Sequence, residues 1–236
     1  MSDSLVSLIL AALVWIAVHV GVAGTALRGV IVRAIGEGPF RGLFVIASFA
    51  LIFWLARAYH YAGAVQVLWV APHWLIVISM LLMIPALVYF VGAVTVRNPT
   101  SVAGAGALAS EQPARGVLRV TRHPMLWAFA VWAAVHIVMF GTVGAMIFFG
   151  AFLVVALAGM PSIDAKIAKR DPPRWEHYAR VTSIVPYAAI AQGRNHFVFA
   201  EIGWWRIAVA LVAWYLLISV HDWFFHIPTW QLFFGS

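Results

Sequence analysis

The chain has 236 residues, 64% of them hydrophobic and only 10% charged, with a mean hydropathy of +0.95; that balance excludes a water-soluble globular domain. A formal net charge of +7 would suggest nucleic acid in a soluble protein, but here the basic residues lie between apolar runs, where they set orientation and meet anionic headgroups. There is no cysteine, which excludes disulfides, thiolate ligands and iron–sulfur clusters.

Six apolar runs, at about 4–25, 40–62, 73–95, 124–141, 143–160 and 204–226, match the roughly 18-residue minimum for crossing a hydrocarbon core of about 30 Å. They predict an all-α polytopic membrane bundle forming a single domain over 1–236. The first run carries only Asp3 in place of a basic n-region and is too long for a typical h-region, so it reads as a retained span. Of the 15 Lys and Arg, all except Arg57 fall in or beside the loops after spans one, three and five. The positive-inside rule puts those loops in the cytoplasm and both termini outside, as in a bacterial inner-membrane protein.

Span one holds His19 and leaves the membrane through Arg28 and Arg33. Gly36-Glu37-Gly38-Pro39 reads as a turn, with Pro39 placed to start span two. Arg57 is expected to snorkel to the outer interface, with pairing to an acidic group as the alternative. Trp69, Pro72, His73 and Trp74 read as an aromatic belt, and Pro85 is placed to kink span three. The stretch 96–123 is expected to be a flexible Ala/Gly-rich loop. Gly104 to Ala109 formally fits G-x-G-x-x-G/A, but no strand precedes it and no βαβ unit follows, so it is not a dinucleotide fingerprint.

Arg122-His123-Pro124 leads into span four, where Phe129, Trp132 and His136 share one helical face. His123 points away from His136 and lies near the surface. Met160-Pro161 is expected to end span five. Beyond it, the charges from Asp164 to Arg174 read as a solvated face, and Trp175, Tyr178, Val181, Ile184 and Tyr187 as the apolar edge of an interfacial helix. Span six carries His221 and Asp222 toward its outer end; adjacent residues on a helix do not face each other, which argues against a pair. No Ser/His/Asp set, H-E-x-x-H motif or Walker loop is present.

A histidine inside a span is expensive and marks a functional position. Two imidazoles from different helices at one depth are how a helical bundle holds a b-type haem. Counting from the nearest basic residue at about 1.5 Å per residue puts His136 roughly 21 Å deep, His221 roughly 22 Å and His19 roughly 13 Å. Depth alone pairs His136 with His221; helix tilt leaves room for His19. The structural alternative is that each histidine bonds a hydroxyl or carbonyl of a neighbouring helix.

Several motifs in order resemble the NnrU family of bacterial membrane proteins, whose relatives include plant 15-cis-ζ-carotene isomerase. They are His19; Arg41-Gly42; Arg97-Asn98-Pro99; Thr121-Arg122-His123-Pro124 with Trp127, Trp132 and His136; Ile163-Asp164 with Lys166; Thr182-Ser183; Gly193-Arg194; Glu201-Ile202-Gly203-Trp204-Trp205-Arg206; and His221 with Trp223. The resemblance implies an inner-membrane protein linked to nitrogen-oxide metabolism (denitrification). From the isomerase branch it implies a haem b held by His19 and His136, supporting redox chemistry or cis–trans isomerisation of a polyene. Trp132 and the arginine-histidine step at Arg122 and His123 are then the candidate cofactor contacts, with arginines available for the propionates. That branch has a cysteine three residues before its second histidine, where this chain has Ala133, so thiolate exchange is not carried over.

A second similarity, through Arg122-His123-Pro124 and Glu176-His177-Tyr178, is to membrane methyltransferases acting on isoprenylcysteine with S-adenosylmethionine. Their glutamate pair is absent here. A third reading is a non-enzymatic assembly or transport factor. Lipid is the expected partner in every case, with an apolar small molecule or a nitrogen-oxide respiratory component as the further candidates and nucleic acid excluded.

Overall fold

The computed structural model describes residues 2–62, 66–101 and 104–235. In chain order it forms α1 (Asp3–Ile16), a π-helical segment (Ala17–Val22), α2 (Leu27–Ile35), α3 (Glu37–Ala62), α4 (His73–Thr95), a 3₁₀ helix (Gly104–Ala109), α5 (Val117–Val120), α6 (Pro124–Phe140), α7 (Val143–Arg170), α8 (Pro172–Val181), α9 (Ala188–Ala191), α10 (Phe199–Ile202), α11 (Trp204–Phe225) and α12 (Thr229–Phe234). The protein is an all-helical membrane protein. Five helical segments are long and apolar enough to cross a bilayer: 3–22, α3, α4, α7 and α11. The expected fourth span is α6, with 17 residues, or about 26 Å at 1.5 Å per residue. Pro124 opens it, and Gly141, at φ +57°, ends it.

The chain divides into two compact units, residues 1–72 with 133–162 and residues 73–132 with 163–236. In the first, α1 packs along α3 through Leu8, Ala11, Ala12 and Trp15 against Leu55, Ala58 and Ala62, with Ala151 of α7 completing the core. Five of these residues are alanines, as close helix approach within a bilayer depends on small side chains. The opposite side of α3 presents Ile46, Phe49 and Phe53 outward, as a lipid-facing helix does. The turn between α6 and α7 is pinned by the segment after α3. Leu68 N–H donates to the Gly141 carbonyl at 2.7 Å, and the Trp69 indole N–H donates to the Val138 carbonyl at 2.8 Å. A Cβ on Gly141 would lie 2.1 Å from the Trp69 carbonyl oxygen, so only glycine fits there. Arg57 donates to the Tyr61 hydroxyl at 2.7 Å and lies over the Phe53 and Tyr61 rings; it leans on its own helix rather than on an acidic partner.

In the second unit α4 packs against α11 and against the short α12, whose Phe233 carbonyl meets His73 Nε2 at 3.2 Å. Three expectations are corrected in the chain that flanks these helices. Pro161 does not end the fifth span: α7 runs through it to Arg170, where polar residues carry the helix on past the apolar part. The edge Trp175–Tyr178–Val181 is not membrane-facing. Tyr178 is fully buried, and with Leu108, Ala114 and Ile167 it forms a core that Trp175 and Val181 border. That core also orders the supposedly flexible loop, whose 3₁₀ helix supplies Leu108.

Candidate functional site

The second unit gathers most of the polar motif residues at the N-terminal end of α6. Thr121 is the extended cap (φ −152°, ψ 143°) that ends α5, and Pro124 disfavours helix at His123, so the segment 121–123 offers its backbone and side chains to neighbours. Arg122 N–H donates to the Ser183 carbonyl at 3.0 Å, the Thr121 hydroxyl to the Ile184 carbonyl at 2.7 Å, and the Trp127 indole to the same carbonyl at 2.8 Å. From the other side the Thr100 hydroxyl donates to the Arg122 carbonyl at 2.6 Å.

The side chains of this segment converge on one carboxylate. Arg122 Nε and Nη2 both lie 2.8 Å from Asp164 Oδ2, and His123 Nε2 lies 2.7 Å from Oδ1. Arg122 Nη1 donates to the Thr182 carbonyl at 3.1 Å, and its guanidinium sits 5.4 Å from the Trp175 ring centre. His123 is 2% exposed. Asp164, expected on a solvated face, is buried instead, and Arg122 and His123 supply the partners that a buried carboxylate requires. The fully buried Tyr178 hydroxyl has no hydrogen-bond partner among the described residues; burial pushes it well above the usual phenol range.

A second charge pair closes the same unit. Arg119 forks onto Glu201 (Nε to Oε2 2.8 Å, Nη2 to Oε1 2.9 Å), and Gly116 N–H donates to Oε2 at 2.9 Å. The Arg119 hydrogen bond, with help from the Gly116 N–H and the field of Arg115, holds the Glu201 carboxyl down at about 2. Gly116, at φ +58°, would place a Cβ 2.8 Å from the Glu201 carbonyl oxygen.

The first unit holds the span histidines. His19 lies in the π-helical segment Ala17–Val22, the kind of local widening of a helix found mostly as single turns and often at functional positions. His19 Nδ1 lies 2.9 Å from the Trp15 carbonyl, and Nε2 lies 3.3 Å from the Ser48 hydroxyl. The Ser48 proton has a better acceptor, the Phe44 carbonyl at 2.7 Å. A neutral imidazole has one N–H. With that proton on Nδ1, Nε2 turns a lone pair toward an oxygen whose own proton points elsewhere. The imidazole packs 3.8 Å from the Trp15 ring and 5.1 Å from Phe44. The Trp15 indole N–H is buried without an acceptor among the described residues. From Trp15 a run of rings continues through Phe152, Phe148 and Phe149, at centroid spacings of 5.1, 5.3 and 4.9 Å, to His136 at 4.8 Å from Phe149.

His19 and His136 thus belong to one unit. His221 belongs to the other, where its Nδ1 lies 2.5 Å from the Leu217 carbonyl. Phe129 packs on Phe90 of α4 within the second unit. Arg122 and His123 are engaged with Asp164, and Arg122 Nη1 also with the Thr182 carbonyl. Among the described residues no group of three or more His, Cys, Asp or Glu is arranged to hold a metal ion. Ser48, Trp15 and the carbonyls of 182–184 escape sequence reading, because hydroxyl, indole and backbone partners carry no spacing pattern.

Comparison with known proteins gives the family. Over 205 residues the chain is 26% identical to the chloroplastic 15-cis-zeta-carotene isomerase of Arabidopsis thaliana, covering 80% of this chain and 52% of that protein. The chain therefore spans about half the length of that curated relative. No solved structure matches. The family model described as NnrU protein matches residues 7–229, a stretch that takes in His19, the cluster around Asp164, the Arg119–Glu201 pair and α11; the chain belongs to the NnrU family.

Proposed function

We propose that the protein binds haem b within its first unit through His19, with His136 as second ligand, and that it performs redox or cis–trans isomerase-type chemistry on an apolar substrate. The observation that carries this reading is the His19 imidazole. Its Nδ1 proton is fixed by the Trp15 carbonyl, and its Nε2 lone pair lacks a good donor. Metal-bound histidines show this same arrangement of a backbone acceptor on one nitrogen and a free lone pair on the other. The residues present fit a haem at this end: an oriented imidazole, stacked rings, and an unpaired indole N–H able to donate to a polar group of a bound molecule.

When bound, haem supplies a one-electron couple at iron in an apolar setting, suited to electron transfer or to isomerising a polyene. The chain's own part is to hold the ring plane of His19 through Trp15 and Phe44, and to exclude water with the Phe148, Phe149 and Phe152 cluster. The similarity to a carotene isomerase favours a polyene over a nitrogen oxide as the substrate. A denitrification role is the second form that the redox reading takes. Methyl transfer is disfavoured by the engagement of Arg122 with Asp164.

The test is an absorption spectrum of the detergent-purified protein, expressed with ample haem supply and recorded oxidised and then reduced. A Soret band with low-spin reduced bands is expected, and its absence sinks the reading. His19→Ala and His221→Ala then decide the partner of His136: loss of a true ligand shifts the low-spin spectrum, whereas loss of the other histidine leaves it in place.

A further inference from the structure

At the end of α4 that carries the basic residues, the second unit contains a half-open cavity of about 450 Å³, a volume typical of small-molecule sites. It lies apart from the haem reading and from the Asp164 cluster. Its wall includes Arg97, just beyond the last turn of α4, and Arg115, ahead of α5, together with Ser110, Gln112, Gly106 and Pro113. The cavity is anchored on two sides. Leu108 and Ala114 are buried against Tyr178, and Gly104 sits so near Asn98 that a Cβ would lie 1.7 Å from its carbonyl oxygen.

The charge arrangement singles the cavity out. Ion pairs engage Arg28, Arg41, Arg119, Arg122 and Arg174 with carboxylates among the described residues. Arg97 and Arg115 share one cavity wall and enter none of those pairs. Glu201 feels the field of Arg115, but its two oxygens already take Arg119 and the Gly116 N–H, and Glu111, between Ser110 and Gln112 in the chain, enters none of those pairs either. Two guanidiniums on one concave surface repel each other until an anion bridges them. Their planar N–H forks match a tetrahedral oxyanion with several acceptor oxygens. Beside them, a serine hydroxyl, a glutamine amide and the apolar faces of Val96 and Pro113 suit an organic body attached to that anion.

We propose that this cavity binds a phosphate group carried on a small organic molecule, through Arg97 and Arg115. The position at the end of a membrane-crossing helix opens it to two sources of that chemistry, the headgroup of an anionic phospholipid or a soluble phosphate ester. The experiment titrates the full-length protein in maltoside micelles, by calorimetry in phosphate-free buffer, with dihexanoyl phosphatidylglycerol, with dihexanoyl phosphatidylcholine and with glycerol 3-phosphate. Saturable binding of phosphatidylglycerol above phosphatidylcholine assigns a lipid, and saturable binding of glycerol 3-phosphate assigns a soluble ester.

Arg97→Gln and Arg115→Gln should each weaken binding about tenfold, the loss of one charge-assisted contact. Gly106→Phe separates a built cavity from diffuse attraction to a basic surface. Gly106 lines the cavity and a Cβ there meets nothing within 4 Å, so a ring can be added at the wall without displacing a neighbour while both charges stay, and binding should fall at least tenfold. Absence of saturable binding for every probe overturns the proposal, as does native-like binding by Gly106→Phe. Should Gly106→Phe melt early, the Arg97→Gln/Arg115→Gln double variant decides, and retained affinity there overturns it equally. Neither arginine holds an ion pair among the described residues, so the double variant should melt with the native protein.

Discussion

Replacing Asp164 by alanine removes one carboxylate and strands two partners. Arg122 and His123 have side chains only 12% and 1% exposed, so water cannot replace what the carboxylate provided. Breaking a buried pair from one side costs about 3–5 kcal/mol, chiefly the penalty of an uncompensated buried charge. For a chain of this size each kcal/mol lowers the melting midpoint by roughly 2–4 °C, so Asp164→Ala should melt roughly 10 °C below the native protein. Asp164→Asn should fall between the two. Its Oδ1 still accepts from Arg122 and its amide can donate to a neutral His123, so the loss is nearer the roughly 1.5–3 kcal/mol of a hydrogen bond to a charged group. The assay is thermal unfolding in maltoside micelles followed by tryptophan emission; Trp175 lies against Arg122 and reports on this region. An Asp164→Ala protein that melts within about 2 °C of the native one would refute the argument that these charges are buried and mutually dependent.

The Glu201 carboxyl is held at about 2 against an ordinary 4.5, so the ionised form stabilises the fold. That contribution is complete above about pH 4.5 and is lost as pH falls toward 2. The melting gap between the native protein and Glu201→Gln, expected to be about 2 kcal/mol at neutral pH, should therefore begin to narrow below about pH 5 and close only as the pH approaches 2; a gap that stays constant from about pH 5 to about pH 2.5 contradicts the assignment. Tyr178→Phe deletes a buried hydroxyl without a partner among the described residues. It should leave the midpoint unchanged or raise it by the equivalent of about 1 kcal/mol, and a clear fall would mean that the hydroxyl is bonded.

The helices were legible because a bilayer demands long apolar runs; α3, α4 and α11 lie within a few residues of their sequence-drawn bounds. Less legible was anything set by a partner distant in the chain. Composition makes Asp164 look like a surface charge, since nothing local reveals that Arg122 lies 2.8 Å away. Pro161 looks like a stop, yet a proline removes one hydrogen bond and leaves the helix free to continue when the next turn is anchored; here Asp164 is that anchor. His19 was visible as a buried histidine, but its π-helical setting and the Trp15 carbonyl contact were not, because a π turn has no composition signal. The same holds for Arg97 and Arg115, eighteen positions apart in the chain, which become neighbours only once the Ala/Gly stretch is packed on α8.

The division of labour between the two units follows from hydrogen-bond capacity. In the second unit Arg122 directs both edges of its guanidinium to Asp164 and the Thr182 carbonyl, and Asp164 accepts on both oxygens. Groups held by a charge-assisted bond on each side fix the backbone between them. The motif around Arg122 and His123 is therefore best understood as the clasp that sets where α6 begins. His19 is the opposite case, since one nitrogen is committed and the other faces an oxygen that offers no proton. In an apolar bundle such an open valence is costly unless something occupies it. Under the haem reading proposed above, His19 in the π-helical segment that follows α1 is therefore the residue to test first.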